Sequence, residues 1–210
     1  MDLSLYWGEF LTIAGVHLLA VASPGPDFAI VLKHSINYGR RIAMITSIGV
    51  GVAILLHVTY SLLGIGLLLK TNPLVYTIFS YVAAAYLVYI AIGALKSKAA
   101  DTTEPASEVS SSEINDRKAF AIGFLTNGLN PKATLFFLSV FAVAVSAQTP
   151  SSIKLAYGVY LAVATGMWFC FLSYLLSTRK VRAFIRQYSH WFDRIMGAVL
   201  LLLAAKLVIV

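Results

Sequence analysis

Two short stretches hold the residues that could do chemistry. Ser23-Pro24-Gly25-Pro26-Asp27 lies inside an apolar run from Phe10 to Leu32, and Asn130-Pro131-Lys132 lies inside another from Ala119 to Ile153. Each places one charged side chain in apolar surroundings, where an ionisable residue is costly and by default functional. Asp27 could hold an ammonium group or carry a proton. Lys132 could hold a carboxylate, or pair with Asp27. Its charge opposes the dipole of a helix that starts beside it, so helix stability alone does not account for it. The structural alternatives are an Asp27 that caps a helix end and a Lys132 that reaches back to the membrane interface. Asn127 and Asn130 are three apart on one helical face and could hydrogen-bond a ligand or tie helices together. His17, seven residues before Pro24, and His57 could relay a proton, since imidazole titrates near neutral pH. A neutral histidine bonded between helices is the plainer reading of both.

The elements that must carry these groups are broken helices. Ser23 or Asn130 caps a new helix by accepting from its first free N–H groups, and proline suits a first turn because its missing N–H would be an orphan anyway. Each break also frees peptide groups, which adds Ser23, Pro24, Gly25, Pro26 and Pro131 to the candidate binding set. Ser23-Pro24 and Asn130-Pro131 are 107 positions apart in a chain of 210. Paired broken helices at corresponding positions of two halves mark the binding site of a secondary transporter.

Composition agrees with that setting. Apolar residues make up 59% of the chain and charged residues 12%, against roughly one-quarter charged in soluble domains. Residues 42–69, 71–95 and 155–178 contain no Asp, Glu, Lys or Arg, and each run exceeds the about 20 residues a helix needs to cross a bilayer. With the two broken segments and a last one from about Arg194 to Val210, six crossings are expected in an all-α membrane protein. Barrel strands would be about 10 residues long and alternating. The first 30 residues contain no Lys or Arg, so a cleaved signal peptide is not expected.

Crossings 2 and 5 carry stripes of small residues at helical spacing, Gly49-Ala53-His57-Ser61-Gly64 and Gly158-Ala162-Gly166-Cys170, of the kind that lets helices approach closely. Residues 1–98 read as a first three-helix repeat, 99–117 as a flexible cytoplasmic linker holding most of the acids, and 118–210 as a second repeat. Three crossings per half is odd, so the second half enters from the opposite side, giving an inverted repeat. Asp2 to Trp7 reads as an outer lead, with Tyr6 and Trp7 as anchors. Arg179 to Trp191 reads as an interfacial helix held by anionic lipid or as an extension of crossing 5.

The net charge of +7 has a topological explanation. Twelve basic residues fall on one side of the expected topology and three on the other, with Lys132 inside. The crowded side is cytoplasmic by the positive-inside rule, which puts both termini outside. Nucleic acid is therefore not an expected partner. Cys170 is the only cysteine, and His17, His34, His57 and His190 are dispersed, so neither a metal nor another cofactor is expected. An intramembrane enzyme would need Ser23, Ser61 or Ser139 as nucleophile with His17 or His57 as base, and no nucleophile-elbow spacing supports it. A passive channel is the other alternative; paired breaks favour alternating access. Tyr60, Tyr81, Tyr86, Tyr89 and Trp168 read as packing or interface residues rather than a cation cage.

The motifs S-P-G-P-D-F at Ser23 to Phe28, N-Y-G-R-R at Asn37 to Arg41 and G-F-L-T-N-G-L-N-P-K-A at Gly123 to Ala133 resemble those of the lysine-exporter/homoserine-threonine-resistance family. The likeness covers the whole chain. It is nearest the threonine and homoserine branch, because basic amino-acid exporters usually carry L-G-P-Q-N where this chain has Pro24 to Phe28. The resemblance implies a bacterial inner-membrane exporter of small neutral amino acids, driven by proton antiport, with six helices in two inverted halves. The partners expected are then an amino acid, protons and membrane lipids, with a homodimer left open. Lys132 and the helix N–H groups would take the substrate carboxylate, and Asp27 with freed carbonyls the ammonium. Asp27, His17 or His57 would carry the coupling proton.

Overall fold

A computed structural model describes residues 3–71, 73–97, 114–146, 148–176 and 178–209. Eight α-helices run through them, and among the described residues there are no strands. They are α1 (Leu3–Ala22), α2 (Pro26–Asn37), α3 (Gly39–Thr71), α4 (Pro73–Leu95), α5 (Asp116–Gly128), α6 (Pro131–Ala144), α7 (Ser151–Leu175) and α8 (Arg179–Ile209). The order is one broken helix and two long helices, given twice.

Both breaks are real, but the first is built differently from the expectation. α2 begins at Pro26 rather than at Pro24, and its cap is Gly25, extended at φ −156° and with no side chain to offer the helix. Ser23 is therefore not the cap. Pro24 stands between it and the helix start, and its hydroxyl turns to α8 instead. The Tyr6–Ala22 and Pro26–Asn37 segments meet at 51°. The second break is as expected: Asn130 caps α6 by accepting from the Lys132 N–H at 3.0 Å, with Pro131 in the first turn. The corresponding prolines are thus Pro26 and Pro131, 105 positions apart. Gly39, at φ +82°, turns the chain from α2 into α3, a conformation that L side chains resist.

The small-residue stripes work as helix contacts. A Cβ on Gly49 would run into the Phe120 carbonyl oxygen, and one on Gly123 into the Thr46 carbonyl oxygen, so α3 and α5 meet backbone to backbone. Along α7, α3 runs antiparallel. The Ser47 and Ser173 hydroxyls lie 3.0 Å apart, Gly51 faces Gly166, and Val58 fills the space over Gly158. α4 packs along α8, where a Cβ on Gly197 would crowd the Ala91 carbonyl oxygen and Leu95. The larger apolar core joins α1, α3, α4, α6, α7 and α8, with Leu87, Phe137, Leu161 and Leu200 at its centre; a smaller one gathers Val31, Val50, Phe169, Leu172 and Leu176. Outward, Tyr81, Tyr89, Met167 and Leu202 are well exposed, as suits surfaces facing lipid.

Among the described residues three helices are long and apolar enough to cross a membrane, at Gly39–Leu63, Thr77–Leu95 and Ser151–Leu175, or four if the bent α1–α2 pair is one span. α5, with three charged residues in its first turn, α6, at 14 residues, and α8 fall short of that criterion. Arg179 to Trp191 is not a separate interfacial helix. It is the first part of α8, which runs unbroken to Ile209 because no proline interrupts it. Leu3 to Trp7 already belongs to α1 rather than to an outer lead. Residues 99–113 of the expected linker lie outside the described residues, while Asp116 and Arg117 open α5.

Candidate functional site

The two breaks come together. A cavity of about 60 Å³ opens between them, lined by His17, Ser23, Gly25, Pro26, Asp27, Asn127, Asn130 and Lys132. A single water needs about 10–15 Å³, so there is room for several water-sized groups. Pro24, Pro131 and His57 do not line the cavity. Thr165 also lines it, and the rest of its wall is largely apolar, with Leu87 and Ile90 from α4, Phe136 and Phe137 from α6, and Met196 and Leu200 from α8.

Asp27 and Lys132 are each the second residue of a restarted helix. Equivalent positions thus present opposite charges to one cavity. They do not form a direct ion pair within 4.0 Å. The Asp27 Oδ2 accepts from the Asn127 amide at 3.0 Å, while its Oδ1 is buried without a partner. Gly25 adds no cap, and Pro26 has no N–H. The first turn of α2 therefore keeps the Asp27 and Phe28 N–H groups free of intrahelical acceptors.

Asn127, 2% exposed, links Asp27 to α3. Its Nδ2 donates to the carboxylate, which leaves its Oδ1 to face His57 at 3.1 Å. The same imidazole nitrogen lies 3.0 Å from the Asn127 carbonyl oxygen. Both partners of this Nε2 are acceptors, so it carries the proton, and Nδ1 is buried without a partner. His57 also stacks on Phe137 at 5.6 Å. It thus acts on the cavity through Asn127. His17 reaches the cavity directly and pairs with the buried Thr165 hydroxyl at 2.8 Å. Neither histidine bonds a serine: Ser61 donates to the His57 carbonyl oxygen, Ser139 is buried without a partner, and Ser23 donates to Asp193.

Asp193 escaped the sequence reading. Its carboxylate accepts from Ser23 at 2.8 Å and from Ser97, just past the end of α4, at 2.8 Å, and its charge acts on Lys132. The available signal was an acid standing alone among the basic residues from Arg179 to Arg194. Thr165 was missed too, since nothing in sequence distinguishes a cavity threonine from any other. Of the aromatic residues set aside as packing, Tyr81 and Tyr89 face outward and none of the five lines the cavity. No cluster of metal-ligating side chains occurs among the described residues.

Comparisons with known proteins give the family of the chain. Residues 18–210 match the model of the LysE type translocators. The chain belongs to that family. Its members are transporters and not enzymes, and this translocator carries both breaks inside the matched region. It is 30% identical over 193 residues to a threonine efflux protein of Escherichia coli K12, covering 90% of this chain and 92% of that one. The threonine efflux protein of Salmonella typhi is similar to the same degree and over the same shares. An uncharacterized membrane protein of Haemophilus influenzae is 28% identical over 200 residues, 94% of this chain and 95% of its own. No solved structure matches.

Proposed function

We propose that this translocator exports a small neutral amino acid, threonine or homoserine, across a bacterial inner membrane in exchange for protons. One observation carries the reading. A cavity sits where two helices restart, with a carboxylate and an ammonium at equivalent positions and one buried carboxylate oxygen unpartnered. A buried acceptor without a donor is costly, and a substrate ammonium or a proton on Asp27 relieves that cost. Lys132, with the free N–H groups of the restarted helices, takes the substrate carboxylate. The large apolar side chains of the walls, Phe136, Phe137 and Met196 among them, leave room for a short side chain. The likeness to threonine efflux proteins over nine-tenths of the chain supports the substrate class.

Alternating access follows from the same layout. Two similar halves of three spans each, inserted in opposite senses, allow a central site to face either side by rocking. The repeated element order and the α3–α7 and α4–α8 pairings suit such a two-fold relation, with six spans and both termini outside. Asp27 is the first choice for the coupling proton, and His17 the second. His57 acts at one remove, through Asn127.

Proteoliposomes loaded with labelled threonine test the proposal. Efflux accelerated by an inward proton gradient is expected. Retention of label under that gradient, across a panel of amino acids, refutes it. Lys132→Ala is expected to raise the half-saturating substrate concentration at least tenfold, and an unchanged value removes Lys132 from the site.

A further inference from the structure

Glu9 was not among the candidate residues, yet among the described residues it is the carboxylate that accepts the most hydrogen bonds. It lies in α1, 7% exposed, and accepts from the Ser146 N–H at 2.8 Å, the Thr149 hydroxyl at 2.7 Å and the Tyr157 hydroxyl at 3.2 Å. It therefore ties the start of the first broken helix to the connection between α6 and α7. At the other end of the bundle, Asp116, the first residue of α5, pairs with Arg41 at 2.6 Å. That contact ties the start of the second broken helix to the first turn of α3, just past the connection from α2.

The two contacts are reciprocal. Glu9 and Asp116 are 107 positions apart, within the spread between the 105 that separates the corresponding prolines and the 109 that separates Gly49 from Gly158. Arg41 and Thr149 are 108 apart. A residue that meets a second one, while their equivalents meet in the reverse sense, is the contact pattern of a two-fold axis. Residues 10–22 and 26–37, 25 helical residues bent by 51° at the break, lead from Glu9 to Asn37, so at about 1.5 Å per residue the two contacts close opposite ends of the molecule. The cavity with Asp27 and Lys132 lies between them. They also differ in kind, because Glu9 is buried on neutral donors whereas the Arg41 and Asp116 side chains are 80% and 48% exposed.

The geometry points to Glu9 and Asp116 as equivalent latches of the transport cycle: the Glu9 contact closes the cavity toward the face bearing residue 9, and the Asp116–Arg41 contact closes it toward the opposite face. This rests on the alternating-access reading above. Opening one end requires its latch to break while the other holds.

The test uses the full chain in vesicles of each orientation, with Cys170→Ala and one reporter, Ala133→Cys, on the cavity wall. A membrane-impermeant maleimide is applied from one face at a time. Glu9→Gln and Thr149→Val are each expected to raise labelling at least fivefold from the residue-9 face and to lower it from the other. Asp116→Asn and Arg41→Ala do the reverse. Labelling like that of the parent, from both faces in all four variants, overturns the inference. Should Glu9→Gln fail to fold, the pair Glu9→Cys with Thr149→Cys decides the matter: oxidation must abolish labelling from the residue-9 face and reductant must restore it. Face-switching without threonine counterflow keeps the latches and removes the substrate assignment. Counterflow with unchanged labelling removes the latches alone.

Discussion

Replacing Asn127 with alanine isolates one interaction at the heart of the site. The amide is 2% exposed and donates to Asp27 at 3.0 Å, and the other carboxylate oxygen already lacks a partner. Asn127→Ala therefore leaves the carboxylate with neither oxygen held by a side chain. A hydrogen bond to a charged group contributes about 1.5–3 kcal/mol, which at about 1.4 kcal/mol per decade is roughly a 10- to 150-fold loss in transport efficiency. His57 keeps its bond to the backbone carbonyl oxygen of residue 127, so the imidazole stays near its place and the loss belongs to Asp27. Initial rates of threonine counterflow over a range of concentrations measure it, with size exclusion in detergent to verify folding. The double variant Asp27→Asn with Asn127→Ala is the control. If the amide acts through the carboxylate, the double variant is no worse than Asp27→Asn alone. A folded Asn127→Ala protein within twofold of the parent, or additive losses in the double variant, refutes the reasoning.

Other perturbations follow from the packing. Gly123→Ala sets a methyl group against the Thr46 carbonyl oxygen, which is backbone and cannot swing aside; a loss of about 1–3 kcal/mol is expected, read as a lower melting temperature in detergent, and an unchanged melting point would contradict the α3–α5 crossing. Arg41→Ala should leave thermal stability within about 1 kcal/mol, since exposed ion pairs contribute little, and a large drop would show that the pair holds the fold rather than an end of the cavity. Cys170→Ala removes only a weak thiol contact to the Met44 carbonyl oxygen at 3.7 Å, so activity and melting point should match the parent; a clear loss of either would give the thiol a role that its geometry does not provide. Thr165→Val deprives the buried His17 of its partner and should cost about 1–3 kcal/mol, whereas full stability would mean that the imidazole finds another acceptor or donor.

Much of this protein was legible along the chain because a bilayer enforces simple rules. Uncharged runs long enough to span, two prolines inside apolar segments and stripes of glycine at helical spacing all follow from the need to satisfy peptide groups without water, and α3, α4, α7 and both breaks stand where those signals put them. The charge pattern of Asp27 and Lys132 was visible for the same reason, as two ions with no local excuse. What depended on tertiary structure was which groups meet. Pro26 rather than Pro24 starts α2 because a glycine can lie extended between two prolines, and Ser23, freed from capping, finds Asp193 on a helix 170 residues away. The chain does not announce that Asn127 joins His57 to Asp27, nor that Glu9 is buried among Ser146, Thr149 and Tyr157. Hydrogen bonds between distant helices depend on their relative rotation and depth, and a periodicity shows only which face is apolar, never which neighbour that face will meet.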